Sequence, residues 1–503
     1  MLNFFNQEVV MDKEIDKTAF IWNEETFSYS QFDSYVKALS EQLSPIGEGE
    51  IIGIYLPNSP ELLLTYFACF QNNQIPMPIN IDLTIDDVVM LLDQAKCNKL
   101  VVSESPKQIK CFEKTNKLSA IYTIVGKNIK SVLLKTSSVR LPLPPVDTAL
   151  ILHTSGTSAL PKAVLISKQA LEKIIEGRIA SAFINTGSVA IIASSLSHSV
   201  GLYQALAYLK MGAKFILLPD YNMDTLAQKV NEYLPTHLIM VVEAFDKLLQ
   251  HLSINSDSFQ NIQFAAVGAD KVTPQVQQRF IQLTKQPLST SYGMTELSWM
   301  LVNHTKKEYN CQALGKPTMD VCIKLLNELG AEVKTGETGE IVAKSPKQMT
   351  GYWQTDNGNT LSNDNWIYSG DLAYKDESGD YWFMGRKKDV IILSSGDNIS
   401  PLELEQKILA IDGIQECIVV GIPKNLNSQN IALEPETPQA FIVCNKSIQK
   451  ETIILHLEKN MSKYKLPTDI HFLAEIPRGA SRKISRATLR NWLIEQSCGI
   501  DQA

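Results

Sequence analysis

Between Thr26 and Asp270 the sequence keeps changing its apolar period, and this alternation restricts the fold more than any other feature. Phe32, Tyr35, Val36, Leu39 and Leu43 recur at helical spacing, whereas Ile51 to Leu56 is a short continuous apolar run of the kind that forms a buried strand. Pro57-Asn58-Ser59-Pro60 then opens a second helix, Glu61 to Gln71, with Leu62, Leu63, Tyr66, Phe67 and Phe70 on its core side. The exchange continues through Leu100-Val101-Val102, Ala120 to Val125, the helix Ser167 to Ala182, and the strands Val189 to Ala193, Lys214 to Leu218, Thr236 to Val242 and Phe264 to Val267. Helices exchanged with buried strands in this way predict an α/β fold. With 503 residues, 44% of them hydrophobic, the chain should bury more than one core. The charged stretch Gly385 to Asp389 marks a boundary, and beyond it the pattern becomes a smaller α+β set: helix Leu402 to Leu409, strands Glu416 to Val420 and Gln439 to Val443, and helix Glu451 to Met461.

Within the larger part, the apolar run Thr148 to Ile151 empties into Leu152-His153-Thr154-Ser155-Gly156-Thr157-Ser158-Ala159-Leu160-Pro161-Lys162. Thr154, Ser155, Thr157 and Ser158 crowd hydroxyls together, Gly156 lets backbone N–H groups approach an anion, and Lys162 adds a mobile positive charge. A polyphosphate loop and a Ser/Thr-rich surface turn both fit such a cluster. The sequence G-x-x-x-x-G-K-[ST] occurs nowhere in the chain, which disfavours the ordinary P-loop NTPases. A second cluster, Ser291-Tyr292-Gly293-Met294-Thr295-Glu296, joins a flat aromatic face, a glycine, a hydroxyl and a hard oxygen ligand suited to Mg²⁺. A net charge of −7 argues against nucleic acid or anionic lipid as a partner for the whole surface, so any anion site must be local. The eight cysteines show no metal-binding spacing, and the first residues lack the basic region and apolar core of a signal peptide, so a cytoplasmic protein with reduced thiols is expected.

Thr154-Ser155-Gly156-Thr157 followed by Pro161-Lys162 resembles the nucleotide loop of the acyl-adenylate-forming enzymes, the superfamily of acyl-CoA synthetases and other AMP-dependent synthetases and ligases. Further segments in the family's order, from Leu56-Pro57-Asn58-Ser59 to Lys483, carry the likeness over nearly the whole chain. The resemblance implies a large multi-sheet N-terminal adenylate-forming domain over residues 1–386, a hinge at 387–388 and a small mobile α+β C-terminal domain over 389–503. It also implies roles. Thr154, Ser155, Gly156, Thr157, Ser158 and Lys162 would hold polyphosphate, Gly268 and Ala269 would form a small-residue turn against adenine, and Tyr292 with Gly293 would receive the purine. Thr295 would reach phosphate, Glu296 the metal, and His198 the carboxylate end of the acid pocket. Asp371 would grip the ribose, Arg386 the ribose or phosphate, Lys388 would be the pivot, Gly396 would lie on the thiol side, and Lys483 would be the adenylation lysine. Ala159, Ala163 and Arg482 stand where the family usually has glycine.

The chemistry implied has two steps: a substrate carboxylate attacks the α-phosphorus of ATP with Mg²⁺, and a thiol then attacks the mixed anhydride. The nucleophile comes from the substrate, so catalysis is positioning and charge neutralisation, and no Ser/His/Asp triad is needed. The thiol is expected to be coenzyme A; the phosphopantetheine of a carrier protein is the alternative within the class. A catalytically silent nucleotide-binding homologue is the alternative outside it. The segment around His198 contains no acidic residue to receive an ammonium group, and the hairpin from Leu393 to Pro401 resembles that of long-chain enzymes. A fatty or other non-amino carboxylic acid is therefore the expected substrate, with Trp299 and Met300 beside its pocket.

Overall fold

The strands expected from the short apolar runs form, and most belong to parallel sheets as their two-sided burial requires. The computed structural model describes residues 16–105, 109–110, 112, 118–126, 128–133, 141–154, 161–268, 272–304, 313–354, 360–395, 398–425, 434–477 and 486–497. The chain divides into two compact units, one made of Met1–Ile323 with Ala343–Ile367 and the other of Lys324–Val342 with Tyr368–Ala503.

In the first unit, a run of neighbouring strands follows the order Ala313–Pro317, Ser298–Asn303, Ser289–Met294, Phe264–Gly268, His237–Val241, Val189–Ile192, Lys214–Leu217, Thr18–Trp22 and Glu25–Ser28. Pairing is parallel from Ser289–Met294 through Thr18–Trp22 and antiparallel at both ends. Leu238 and Met240 point to one face, where the helices Met223–Tyr233, Val242–Gln250 and Pro274–Thr284 add Leu226, Phe245 and Phe280 to a continuous core. The His237 ring faces the other way and meets the backbone oxygen of Ala182 at 3.0 Å, at the end of the helix Lys168–Ala182. A second sheet, in the order Ile75–Pro78, Ile51–Tyr55, Lys99–Ser103, Ala120–Val125 and Asn128–Leu133, encloses its own core with the helix Ile85–Gln94. A third sheet consists of Gly351–Tyr352, Ala163–Ser167 and Thr148–His153, all antiparallel.

In the second unit, Ile414–Pro423, Glu436–Cys444 and Asp469–Phe472 form a three-stranded sheet. Cys417 and Val419 face the helices Pro401–Leu409 and Lys450–Asn460, while Ile418, Val420 and Ile422 face Leu489 and Leu493 of the helix Arg486–Ser497. Alternate residues thus feed two cores, as the period of a strand demands. The strand Asp469–Phe472 and the last helix add to the elements expected from the sequence. Among the described residues, no helix is long and apolar enough to cross a membrane.

Candidate active site

The strands on either side of the hydroxyl-rich segment pair antiparallel. Strand Thr148–His153 returns as Ala163–Ser167 with Leu152 opposite Val164 and His153 opposite Ala163. At its mouth the Thr154 N–H donates to the Lys162 carbonyl at 3.0 Å, and the Lys162 N–H donates to Thr154 Oγ1 at 3.1 Å. The returning strand had not been expected between the loop and the helix. Ser167, its last residue, caps the helix Lys168–Ala182 by accepting from the Ala170 N–H, so loop, strand and helix follow without a linker. Ser155, Gly156, Thr157 and Ser158 lie outside the described residues.

Beside this hairpin stands the turn between Ser289–Met294 and Ser298–Asn303. Its register shifts at Tyr292/Gly293, and a Cβ on Gly293 would lie 2.1 Å from the Ser298 carbonyl oxygen and 3.0 Å from the Trp299 Cα. Only glycine fits there. Gly268 is similarly close: a Cβ would meet Ser291 Oγ at 2.6 Å. Tyr292 and Thr295 remain half-buried, while Glu296, although in a turn, is only 7% exposed. The Met349 N–H donates to the Glu296 carbonyl at 2.7 Å, and Tyr352 Oη donates to Glu296 Oε1 at 2.8 Å. Lys162 Nζ lies 4.5 Å from the centre of the same Tyr352 ring. Tyr352 therefore ties the mouth of the first hairpin to the carboxylate of the second. Burial and then the Glu296 charge push its phenol pKa up, so it stays a donor.

Trp353 is scaffold, since its Nε1 donates to the Ala95 carbonyl at 2.7 Å, but Tyr352 does more. The pairing that brings it to the site, Tyr352 with Val164, is too distant in sequence for a local pattern to reveal.

His198 precedes the helix Ser199–Met211, at the carboxyl end of the parallel strand Val189–Ile192. Asn58 fixes that segment. Its side-chain amide donates to the Ser194 and Leu218 carbonyls, both at 3.1 Å, and its Oδ1 accepts from the Leu196 N–H at 2.7 Å. Tyr66 Oη adds a bond to the Leu196 carbonyl at 2.8 Å. Gly201 allows the helix to approach: a Cβ would lie 2.4 Å from the Ser195 carbonyl oxygen. The His198 ring also opposes positive charge on His153, whose pKa falls to about 4, chiefly through burial.

The second unit holds another group. Asp371 and Arg386 are opposite one another on the antiparallel strands Ile367–Lys375 and Tyr381–Arg386, with Arg386 Nε 3.5 Å from Asp371 Oδ1. Gly370 takes φ +72° within the strand Ile367–Lys375, and the Asp371 N–H donates to Ser369 Oγ at 3.0 Å. Lys387–Asp389 is a single 3₁₀ turn. Within it, Lys388 has a lowered pKa through burial and then the Arg386 charge. Arg486 reaches Asp389 at 3.3 Å and the buried Glu405 at 2.9 Å, anchoring the start of the last helix to that turn. Ala269, Gly396 and Lys483 lie outside the described residues.

Two buried cations were missed as well. Arg178 and Lys347 are 3% and 2% exposed. Arg178 occupies a core position of its helix with Leu171, Ile174 and Ile175, a spacing at which an arginine is itself a signal. Among the described residues there is no cluster of three or more His, Cys, Asp or Glu side chains able to hold a metal, so a cation here would need oxygen atoms from its substrate as well as from Glu296.

Comparison with known proteins gives the family. The family model described as "AMP-binding enzyme" matches residues 7–353, and that described as "AMP-binding enzyme C-terminal domain" matches 403–483. The chain is 26% identical to a 2-succinylbenzoate–CoA ligase of Oceanobacillus iheyensis, over 92% of this chain and 94% of that protein. It is also 26% identical to a long-chain-fatty-acid–CoA ligase of Bacillus subtilis, over 94% and 91% respectively. Its fold matches ATP-bound MatB from Rhodopseudomonas palustris with a TM-score of 0.86 at 21% identity, covering 98% and 99% of the two chains. The chain belongs to the AMP-binding enzyme family, within the acyl-adenylate-forming superfamily.

Proposed function

We propose that this AMP-forming acid–thiol ligase joins a non-amino carboxylic acid, fatty or otherwise, to coenzyme A in the cytoplasm, through an acyl-adenylate. The observation that carries the reading is the bond from Tyr352 to the buried Glu296, with Lys162 over the same ring. It holds a carboxylate and an ammonium group beside Gly293, where backbone crowding excludes any larger residue.

Glu296 is a hard oxygen donor, already oriented, and fits Mg²⁺. When bound, the metal would neutralise charge on the phosphates. Thr154, Ser155, Gly156, Thr157, Ser158 and Lys162 hold the departing pyrophosphate, with Thr295 on the phosphate side. Tyr292, Gly268 and Ala269 receive adenine, and Asp371 and Arg386 the ribose. His198 orients the acid carboxylate, and Lys483 offsets negative charge as the carboxylate oxygen attacks phosphorus. Lys388 is the pivot, after which the Gly396 side of the small domain admits the thiol.

The 2-succinylbenzoate and long-chain fatty acid relatives support an acid–CoA reaction while differing in the acid. Hydroxylamine trapping of adenylates over a panel of fatty, aryl and amino acids tests the reading. Hydroxamate should form with non-amino acids and require Mg·ATP. Turnover confined to α-amino acids would remove the substrate assignment, and no pyrophosphate exchange with any acid would remove the ligase assignment.

A further inference from the structure

Behind Trp299 the first unit buries a guanidinium that has no carboxylate beside it among the described residues. The Arg178 guanidinium carbon lies over the Trp299 indole, 3.4 Å from the ring centre, and Trp299 is paired with Gly293 across the hairpin. Arg178 Nε and Nη1 are buried and have no hydrogen-bond partner, and no acid pairs with Arg178 among the described residues. Tyr203 Oη and Tyr208 Oη, both close enough to Arg178 to interact with its charge, are also buried and without partners. Lys347 adds a second cation: a Cβ on Gly177, the residue before Arg178, would lie 2.6 Å from Lys347 Nζ. Lys347 bonds to the Thr318 hydroxyl at 3.3 Å and to the Met319 carbonyl, and the Asp320 carboxylate offsets part of its charge.

A guanidinium removed from water without an anion is costly, and the penalty shows in an Arg178 pKa pushed down to about 9 by burial. The Trp299 face offsets part of it but accepts no hydrogen bond in the ring plane. A planar fork of donors with phenolic hydroxyls nearby matches a carboxylate, which can accept two parallel N–H bonds. We propose that Arg178, with Tyr203 and Tyr208, forms an anion subsite for a second carboxylate on the acid substrate, so that the enzyme selects a dicarboxylic acid. Lys347 strengthens the positive field there without touching the ligand. This assignment rests on the ligase reading above and narrows its substrate class.

The test compares short α,ω-dicarboxylic acids with their monomethyl esters, which keep one reactive carboxylate and nearly the same shape. Pyrophosphate exchange gives kcat/KM for each member of a pair in wild type, Arg178→Met and Arg178→Lys. Wild type should prefer the diacid by roughly 10–100-fold, the worth of a hydrogen-bonded charge. Arg178→Met should erase that preference and Arg178→Lys should retain a part of it. Quenching of Trp299 fluorescence, checked against Trp299→Phe, reports binding without turnover and should follow the same order. Chloride and inorganic phosphate are titrated alongside, and quenching by these alone would show a general anion site and overturn the substrate assignment. So would an ester preference in wild type, or an unchanged ratio in a folded Arg178→Met. Should Arg178→Met fail to fold, an undiminished preference in Arg178→Lys would be the refuting result. If wild type exchanged with no acid, the ligase reading would fail and the fluorescence titration alone would decide the subsite.

Discussion

Single side chains in this enzyme carry both its chemistry and a cost in stability. Tyr352 is the clearest case, since one hydroxyl holds the Glu296 carboxylate and one ring face receives Lys162. Tyr352→Phe keeps the ring and removes the hydroxyl, so nucleotide binding should change little while the Mg²⁺ needed for half-maximal exchange rises by about 10-fold, the order of a hydrogen bond to a charged group. A Mg²⁺ titration at saturating ATP checks this, and an unchanged midpoint would separate Tyr352 from the metal. His153 shows the cost. Its pKa falls from 6.5 to about 4, so between those values the unfolded chain binds a proton that the folded chain refuses. That stability is present above pH 6.5 and is lost as pH falls towards 4, by up to about 3 kcal/mol. His153→Phe should flatten the fall in urea midpoint between neutral and acidic pH; an equally steep fall in the variant would assign it to other groups.

At the level of elements, the loop that presents His198 is fixed by Asn58 from a distant part of the chain. Asn58→Ala removes two donated bonds and one accepted bond inside the protein, and should cost about 2–4 kcal/mol of stability as well as activity. Asn58→Asp keeps the acceptor to the Leu196 N–H but sets a carboxylate oxygen with no donor against both carbonyls, and should cost at least as much as Asn58→Ala. Chemical denaturation of the three proteins orders them, and equal stability of wild type and Asn58→Ala would discount the clasp. The helix Pro60–Gln71 that follows Asn58 was legible in the sequence because Leu62, Leu63, Tyr66, Phe67 and Phe70 repeat at its period. The use of Asn58 was not, because its partners at 194, 196 and 218 come together only through the order of strands in a sheet. The strand Ala163–Ser167 was hidden for another reason. A phosphate loop leading straight into a helix is the commoner arrangement, and the apolar run after Lys162 is short enough to read as either. Arg178 shows the converse, a site residue legible as a misfit: a charge at a core position needs a purpose.

For the whole molecule, the sequence signals fall into two families of segments, matched at 7–353 and 403–483, and Lys483, proposed above as the adenylation lysine, is the last residue of the second. Lys483 is therefore tied to the small domain, and its chain continues directly towards Arg486, which is held to Asp389 in the turn that includes Lys388. A residue carried on a separate domain can serve one half-reaction and be withdrawn for the other, whereas a residue built into the large domain serves both. Lys483→Ala should nearly abolish adenylate formation yet leave transfer from supplied acyl-adenylate to coenzyme A largely intact. Lys388→Pro, which restricts the backbone at the proposed pivot, should do the reverse: adenylation survives and thiol transfer slows. Single-turnover assays of each half-reaction distinguish these cases, with circular dichroism to confirm folding. Equal losses in both half-reactions for each variant would mean that one arrangement of the domains performs both steps, and Lys388 would then be a linker rather than a pivot.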